Sequence, residues 1–375
     1  VKISGMIDES MDKEAMKLPP KPWEFRSKPA WQRLLIMTGG VLMNFLFAIL
    51  IYIGVLYAWG EEYLPTENVK YGIVVNETGE KIGFRTGDKI LSVDNRYIEN
   101  FMKIIPSIVL DNAKSVQVNR DGEKMDVEIT DDDLALLLKS KSVMWPRIPF
   151  RLGVDGFSDN SPAEAAGLLI GDEIVGMNGQ SFNYYDEWSK ASKEHAGQNV
   201  LLTVKRNNEL KDINITISED GMIGVKNSHF ADHYFELKTI NYGFFESIPA
   251  GLKRGVHTLN DYLKQFKLFF RPDTKAYESL GGFAAIGNIF PGTWDWFSFW
   301  NMTAFISIIL AIMNLLPIPA LDGGHVMFLF FEIITRRKPG EKFMEYAQIT
   351  GMIILLALVL YANANDIIKI INGTF

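Results

Sequence analysis

One short stretch of this sequence puts chemically capable residues in an unusual place. Asn314-Leu315-Leu316-Pro317-Ile318-Pro319-Ala320-Leu321-Asp322-Gly323-Gly324-His325 closes the uncharged interval Trp296–Leu321, and the apolar run Val326–Phe331 follows it. A carboxylate in such a setting is costly, so it should face the protein interior or a watered cavity and find a partner there. Pro317 and Pro319 cannot continue a helix, which leaves backbone carbonyls unpaired. Irregular backbone at membrane depth is tolerated only inside protein or beside a cavity. Gly323 and Gly324 allow a neighbouring segment to approach closely. Together these residues describe a polar pocket within a membrane domain. The plainer alternative is that Asp322 merely caps the helix after it.

Histidines offer little competition. There are five, and no cysteine, so neither a disulfide framework nor a thiolate metal site exists in these 375 residues. His229 and His233 stand four apart, but no Glu holds the second position, and the pair lies far from the apolar runs. We read that spacing as coincidence. His325 reads as part of the packing of its helix, and His195 and His257 belong to no constellation. No H-E-x-x-H occurs.

The elements that must position Asp322 are membrane spans. No charge falls between Arg33 and Glu61, and none between Glu345 and Asp366. At about 1.5 Å per helical residue, the first of these exceeds a hydrocarbon core of roughly 30 Å. Tyr52, Tyr57 and Trp59 gather at its far end, and Trp294, Trp296 and Trp300 lead into the interval before Asp322, as interfacial aromatics do. Three spans are therefore expected, at 34–59, within 295–335, and at 345–366. Lys21, Arg26, Lys28 and Arg33 precede the first; Arg336, Arg337, Lys338 and Lys342 separate the second from the third. Both flanks read as cytoplasmic. The residues between then lie on the far side, in the periplasm or cell exterior of a bacterium, with the spans in its inner membrane. The net charge of −7 and the absence of a basic run with interleaved aromatics argue against a nucleic-acid partner.

The intervening segment repeats itself. Gly87-Asp88-Lys89-Ile90-Leu91-Ser92-Val93-Asp94-Asn95 is echoed 84 residues later by Gly171-Asp172-Glu173-Ile174-Val175-Gly176-Met177-Asn178-Gly179. Each copy reads as a turn, an apolar strand and a hairpin turn. With Ser161-Pro162-Ala163-Glu164-Ala165-Ala166-Gly167-Leu168 before it, the second copy resembles a PDZ domain, and the first is a weaker match. Two such domains are expected, at 66–131 and 146–226. PDZ folds take peptides as an added strand, so peptide termini are candidate partners; simple spacers are the alternative. Leu252, Val256, Leu259, Leu263, Phe266 and Phe270 recur by threes and fours within Gly243–Phe270. The region 237–294 is thus expected to carry an amphipathic helix outside the membrane, either a packing element or one lying along the surface.

The pattern N-x-x-P-x-P-x-L-D-G-G-H resembles the signature of the site-2 protease family, in its RseP-like branch with tandem PDZ domains. Gly39-Gly40-Val41-Leu42-Met43-Asn44 is similar to that family's G-P-x-x-N helix, with Val41 for proline, which singles out Gly40 and Asn44 as structural residues. Ser279-Leu280-Gly281-Gly282-Phe283-Ala284-Ala285-Ile286 is similar to its G-G-P-x-G-I segment, with Phe283 and Ala285 departing. Val1-Lys2-Ile3 resembles the end of a β-loop that dips into the membrane, so 1–33 would be β-loop and cytoplasmic segment.

This resemblance implies a multi-pass α-helical membrane protein with two inserted PDZ-like domains, acting as a zinc metalloprotease. In the family, Zn2+ is held by two histidines of H-E-x-x-H and the aspartate of L-D-G, and the Glu is general base. Asp322 matches the third ligand, and Asn314 the residue that would hydrogen-bond the substrate backbone or oxyanion. Val1, Lys2, Ile3, Ser4 and Gly5 would hold an unwound substrate strand. Pro317, Pro319, Gly323 and Gly324 would be structural. Substrates would be single-pass transmembrane proteins within the bilayer, of the anti-sigma-factor or remnant-signal-peptide kind. The missing H-E-x-x-H is expected upstream of Val1, and the 375 residues alone should be inactive. A membrane-anchored PDZ scaffold that binds without cleaving is the rival reading. A transporter, whose ion sites also use broken helices, ranks lower because no second interrupted segment appears.

Overall fold

The computed structural model describes residues 19, 21–140, 142–226, 234–268 and 280–372. The expected strand edge Val1–Gly5 and the His229/His233 pair lie outside them. Contacts divide the chain into two compact units, Glu62–Thr239 and a second built from Val1–Glu61 with Ile240–Phe375.

The second unit is helical: α1 (Ala30–Trp59), α2 (Phe244–Leu268), α3 (Phe283–Asn288), α4 (Trp296–Leu315), α5 (Asp322–Thr335) and α6 (Glu341–Ile371). Among the described residues, three helices are long and apolar enough to cross a membrane: Ala30–Trp59, Trp296–Leu315 and Lys342–Ile371. Pro29 precedes α1, and Gly60 ends it at φ +72°, a conformation that favours glycine. The Asp295 side chain caps α4 by accepting the Ser298 N–H at 2.7 Å. Helices α1 and α4 run antiparallel. Trp59 meets Phe297 at one end. Ala48, Ile51, Tyr52 and Val55 interleave with Ala304, Ile308 and Ile312 along the seam. Further down, the Ser307 hydroxyl donates to the Asn44 carbonyl at 2.8 Å.

Helix α2 takes the packing role of the two foreseen for it. Ser247, Gly251 and Gly255 are buried at four-residue steps. A Cβ on Gly251 would lie 2.7 Å from the Ile53 nitrogen, and one on Gly255 would lie 2.9 Å from Ile49 Cγ1. The stretch 237–294, expected outside the membrane, thus sends α2 beside α1 as far as Ile49. That is about 15 Å along the helix from Trp59. Arg254 at this level sits 5.0 Å over the Tyr52 ring and donates to Asn301 Oδ1 at 2.9 Å.

The unit Glu62–Thr239 holds two β-rich modules on one plan. The first has an antiparallel sheet of Lys89–Val93, Ser115–Arg120 and Glu123–Glu128. The second has Glu173–Met177, Asn199–Arg206 and Glu209–Thr216 in the same succession, extended by Gln180–Ser181 and Leu152–Gly153. Both hairpin turns hold positive φ at their paired central residues, Asp94 and Asn95 in one, Asn178 and Gly179 in the other. Ile73–Val75 pairs with Met144–Pro146, which carries the first module past the expected boundary at 131. That closing strand is three residues with a proline, too short to show a period of two. The second module's core gathers Leu168, Ile174, Trp188, Leu202, Val204 and Ile215. Entry and exit lie together, because Glu61–Tyr63 pairs with Lys238–Ile240 as a two-stranded ribbon.

The repeat extends to an ion pair. Asp88 is buried and accepts Arg120 Nε and Nη2, both at 2.7 Å, while Arg120 also donates to the Gly83 carbonyl. Asp172 accepts Arg206 Nε at 2.7 Å and Nη2 at 2.6 Å, with Arg206 donating to the Gly167 carbonyl. Removing the arginine leaves the buried Asp172 carboxylate without its cation. Arg206→Ala should therefore destabilise the second module, read as faster hydrogen exchange across Glu173–Met177 and Asn199–Arg206. The hydrogen bond from Arg206 holds the Asp172 carboxyl below its ordinary value. Its stabilisation is complete above the usual carboxylate pKa of about 4 and is lost as pH falls through the lower folded value. The variant should consequently lose less stability on acidification below about pH 4.

Candidate metal centre

Helix α4 ends where the prolines forbid it to continue. Leu316 leaves the helix at φ −59° and ψ 142°, and its N–H still reaches the Met313 carbonyl. The break is then closed by tight turns, Ile318 N–H to Leu316 O at 2.7 Å and Leu321 N–H to Ile318 O at 2.8 Å. Gly324 N–H to Leu321 O at 3.0 Å leads into α5. These bonds satisfy backbone groups that an apolar surrounding would otherwise leave unpaired.

Three glycines clasp the break. A Cβ on Gly323 would collide with the backbone carbonyls of Leu315 and Leu316. On Gly324 it would lie 2.6 Å from the Ile318 oxygen, and on Gly351 of α6 it would lie 2.7 Å from the Ala320 nitrogen. The residues 316–321 are thereby held between the first turn of α5 and the middle of α6. Gly351 carried no signal in the sequence, since a lone glycine in an apolar span is common.

Asp322 opens α5 as its first helical residue; Leu321 is the N-cap and makes no side-chain cap. Capping therefore does not explain the aspartate. Its carboxylate is half-buried, and among the described residues no protein group donates a hydrogen bond to it. Asn314 lies one residue before the end of α4, also half-buried and without a side-chain partner among the described residues. His325 follows Asp322 by three residues and sets its ring edge-on to Phe328, which in turn meets Phe343 of α6. At the other end of α5 the buried Arg33 pairs with Glu332. Ten helical residues separate that pair from Asp322, about 15 Å along the axis.

The prolines, Gly323, Gly324 and Asp322 thus come together, with Asn314 on the other side of the break. Asn44 contributes its carbonyl to Ser307, and its side chain has no partner among the described residues. Gly40 is exposed, and nothing described lies within 4 Å of where its Cβ would be. The segment expected to resemble G-G-P-x-G-I is gripped from α6. Asp366, buried, accepts the Ala285 N–H at 3.0 Å; Asn363 accepts the Phe283 N–H at 3.3 Å; Asn365 donates to the Leu280 carbonyl at 2.6 Å. Three polar residues in one turn at the end of a span were the available signal for this clasp.

A catalytic zinc usually has three protein ligands. Among the described residues no three histidines, aspartates or glutamates stand close enough to hold a metal. The described residues therefore do not make up a zinc ligand set.

Comparison with known proteins decides the family. The model of peptidase family M50 matches residues 1–358. The chain belongs to peptidase family M50. This M50 chain is 26% identical to the regulator of sigma E protease of Haemophilus influenzae, over 95% of its own length and 83% of that protein. It is 24% identical to a Neisseria meningitidis protein provisionally named a zinc metalloprotease, over 94% and 82% of the two chains. A similarly named Campylobacter jejuni protein is 33% identical over 58% of this M50 chain and 61% of its own.

The two kinds of residue at the break should respond oppositely to substitution. Gly324→Ala forces backbone apart and should cost about 1–3 kcal/mol, lowering the melting temperature in detergent. Asp322→Asn removes the charge of a carboxylate that accepts no hydrogen bond among the described residues, and should leave that temperature unchanged or higher.

Proposed function

We propose that this M50 protein is an intramembrane zinc endopeptidase in which Asp322 supplies one metal ligand. The observation that carries the reading is the half-buried, unpaired carboxylate beside a broken membrane helix. The names of its relatives as zinc metalloproteases support the metal. The two histidines and the glutamate of H-E-x-x-H are not among these 375 residues, and the reading assigns them to sequence upstream of Val1.

When bound, zinc would supply a Lewis acid for the scissile carbonyl and an activated water. Asp322 would hold its charge at the start of α5, where the helix dipole favours an anion. Asn314, with a free amide, would donate to the substrate backbone or oxyanion. Helical substrate amides are already paired, so the transmembrane segment must unwind before a bond is exposed. Val1–Gly5 would then receive it as an added strand.

The substrate class, single-pass membrane proteins of the anti-sigma-factor or remnant-signal-peptide kind, draws support from the relative named as a regulator of sigma E protease. The repeated turn, hairpin and Asp–Arg pair support two PDZ-like domains, at the periplasmic or exterior side of a bacterial inner membrane. They would filter substrates by size or receive peptide termini.

The test is metal content and cleavage of a transmembrane peptide by the protein as its gene encodes it, beside Asp322→Ala. Stoichiometric zinc and cleavage, both lost in the variant, are expected. A folded protein with neither zinc nor cleavage would overturn the protease in favour of a PDZ scaffold.

A further inference from the structure

At one end of the membrane unit, four cations lack protein partners among the described residues. Arg33 is buried, pairs with Glu332, and donates from Nε to the Lys28 carbonyl at 3.0 Å. These bonds hold the segment before α1 beside the terminus of α5. Just beyond Glu332 come Arg336, Arg337 and Lys338, and then Lys342, all exposed. None of the four side chains forms an ion pair or hydrogen bond among the described residues. Arg336 takes φ +56°, and the Thr335 hydroxyl accepts the Arg337 N–H, so a tight turn projects three consecutive cations.

Their surroundings are apolar and equally exposed. Ile333, Ile334, Phe343 and Tyr346 flank the turn, and Trp23 and Trp31 are exposed on the neighbouring segment, with Lys21 stacked on Trp23. Cations rimmed by lipid-facing side chains match the boundary between acyl chains and headgroups. The opposite end of the unit has a different character. Trp59, Trp294 and Trp296 are joined there by Glu61, Glu246 and Asp295. Each of these acids accepts a hydrogen bond, from Tyr242, Gly243 and Ser298 respectively.

We propose that the turn Arg336–Lys342 is a binding site for the phosphate of anionic phospholipid headgroups. Arginine presents paired donors to phosphate oxygens, and the fixed Arg33–Glu332 pair keeps the turn at headgroup level. A bound headgroup would in turn set the depth of α5, and hence of Asp322. Each cation at an anionic surface raises association roughly fivefold.

The probe is phosphatidylglycerol as a minor component of phosphatidylcholine nanodiscs holding the full protein. Mass spectrometry reads the lipid retained after gentle extraction. Wild type should be enriched in phosphatidylglycerol. Arg336→Gln/Arg337→Gln/Lys338→Gln should lose roughly a hundredfold in relative association at low salt, and less as ionic strength screens the charges. Arg336→Lys/Arg337→Lys should keep most of the enrichment, which separates loss of the site from loss of the fold. A control with equal charge loss, Lys190→Gln/Lys193→Gln/Lys205→Gln, should behave as wild type. Equal loss in the control would overturn the site in favour of net charge. No enrichment in wild type would overturn it outright and leave an acidic protein segment as what these cations serve.

Discussion

A helix that stops inside an apolar span strands its last carbonyls, and everything around Asp322 answers to that constraint. Pro317 and Pro319 impose the stop, so the backbone from Leu316 to Gly324 finds its hydrogen bonds in successive tight turns. Such turns need room, and Gly323, Gly324 and Gly351 provide it by admitting backbone where a Cβ would collide. The restart of the helix then fixes Asp322 at a positive helix end, away from the Arg33–Glu332 pair that marks the far terminus of α5. The Asp322 carboxylate that results from these steps accepts no hydrogen bond among the described residues.

The other unit uses a carboxylate in the opposite way. Asp88 and Asp172 are buried, and each is saturated by an arginine reaching across from a neighbouring strand. Charge there is consumed in holding a turn against a sheet. Asp322, by contrast, is half-buried and accepts no hydrogen bond among the described residues.

Much of this was legible in the sequence, for physical reasons that differ by element. The spans announced themselves because a helix buried in a soluble protein rarely runs to that length without a charge. The Gly-Asp and Asn-Gly turns were readable because only certain residues adopt positive φ. The break before Asp322 was readable because prolines and glycines cluster where backbone is irregular. What stayed hidden depends on partners distant in the chain. Met144–Pro146 is a strand only because Ile73–Val75 waits for it. Helix α2 has an ordinary amphipathic pattern, and its descent along α1 rests on Gly251 and Gly255, which read as mere helix weakeners. Gly351 and the Asn363–Asp366 clasp likewise acquire meaning only from residues tens of positions away. Gly40 shows the reverse, a residue singled out by pattern where an added Cβ would meet nothing described.

The ribbon formed by Glu61–Tyr63 and Lys238–Ile240 has a consequence for how such proteins diversify. Paired strands lie only about 5 Å apart, so the chain leaves the helical unit and returns to it at neighbouring points. The insertion therefore behaves as a cassette. Modules could be duplicated, traded or deleted between those two strands without reopening the helical framework, and the two Asp–Arg locks already repeat one arrangement. In such a lineage, the helical framework and the modules carried between those strands are free to evolve at separate speeds.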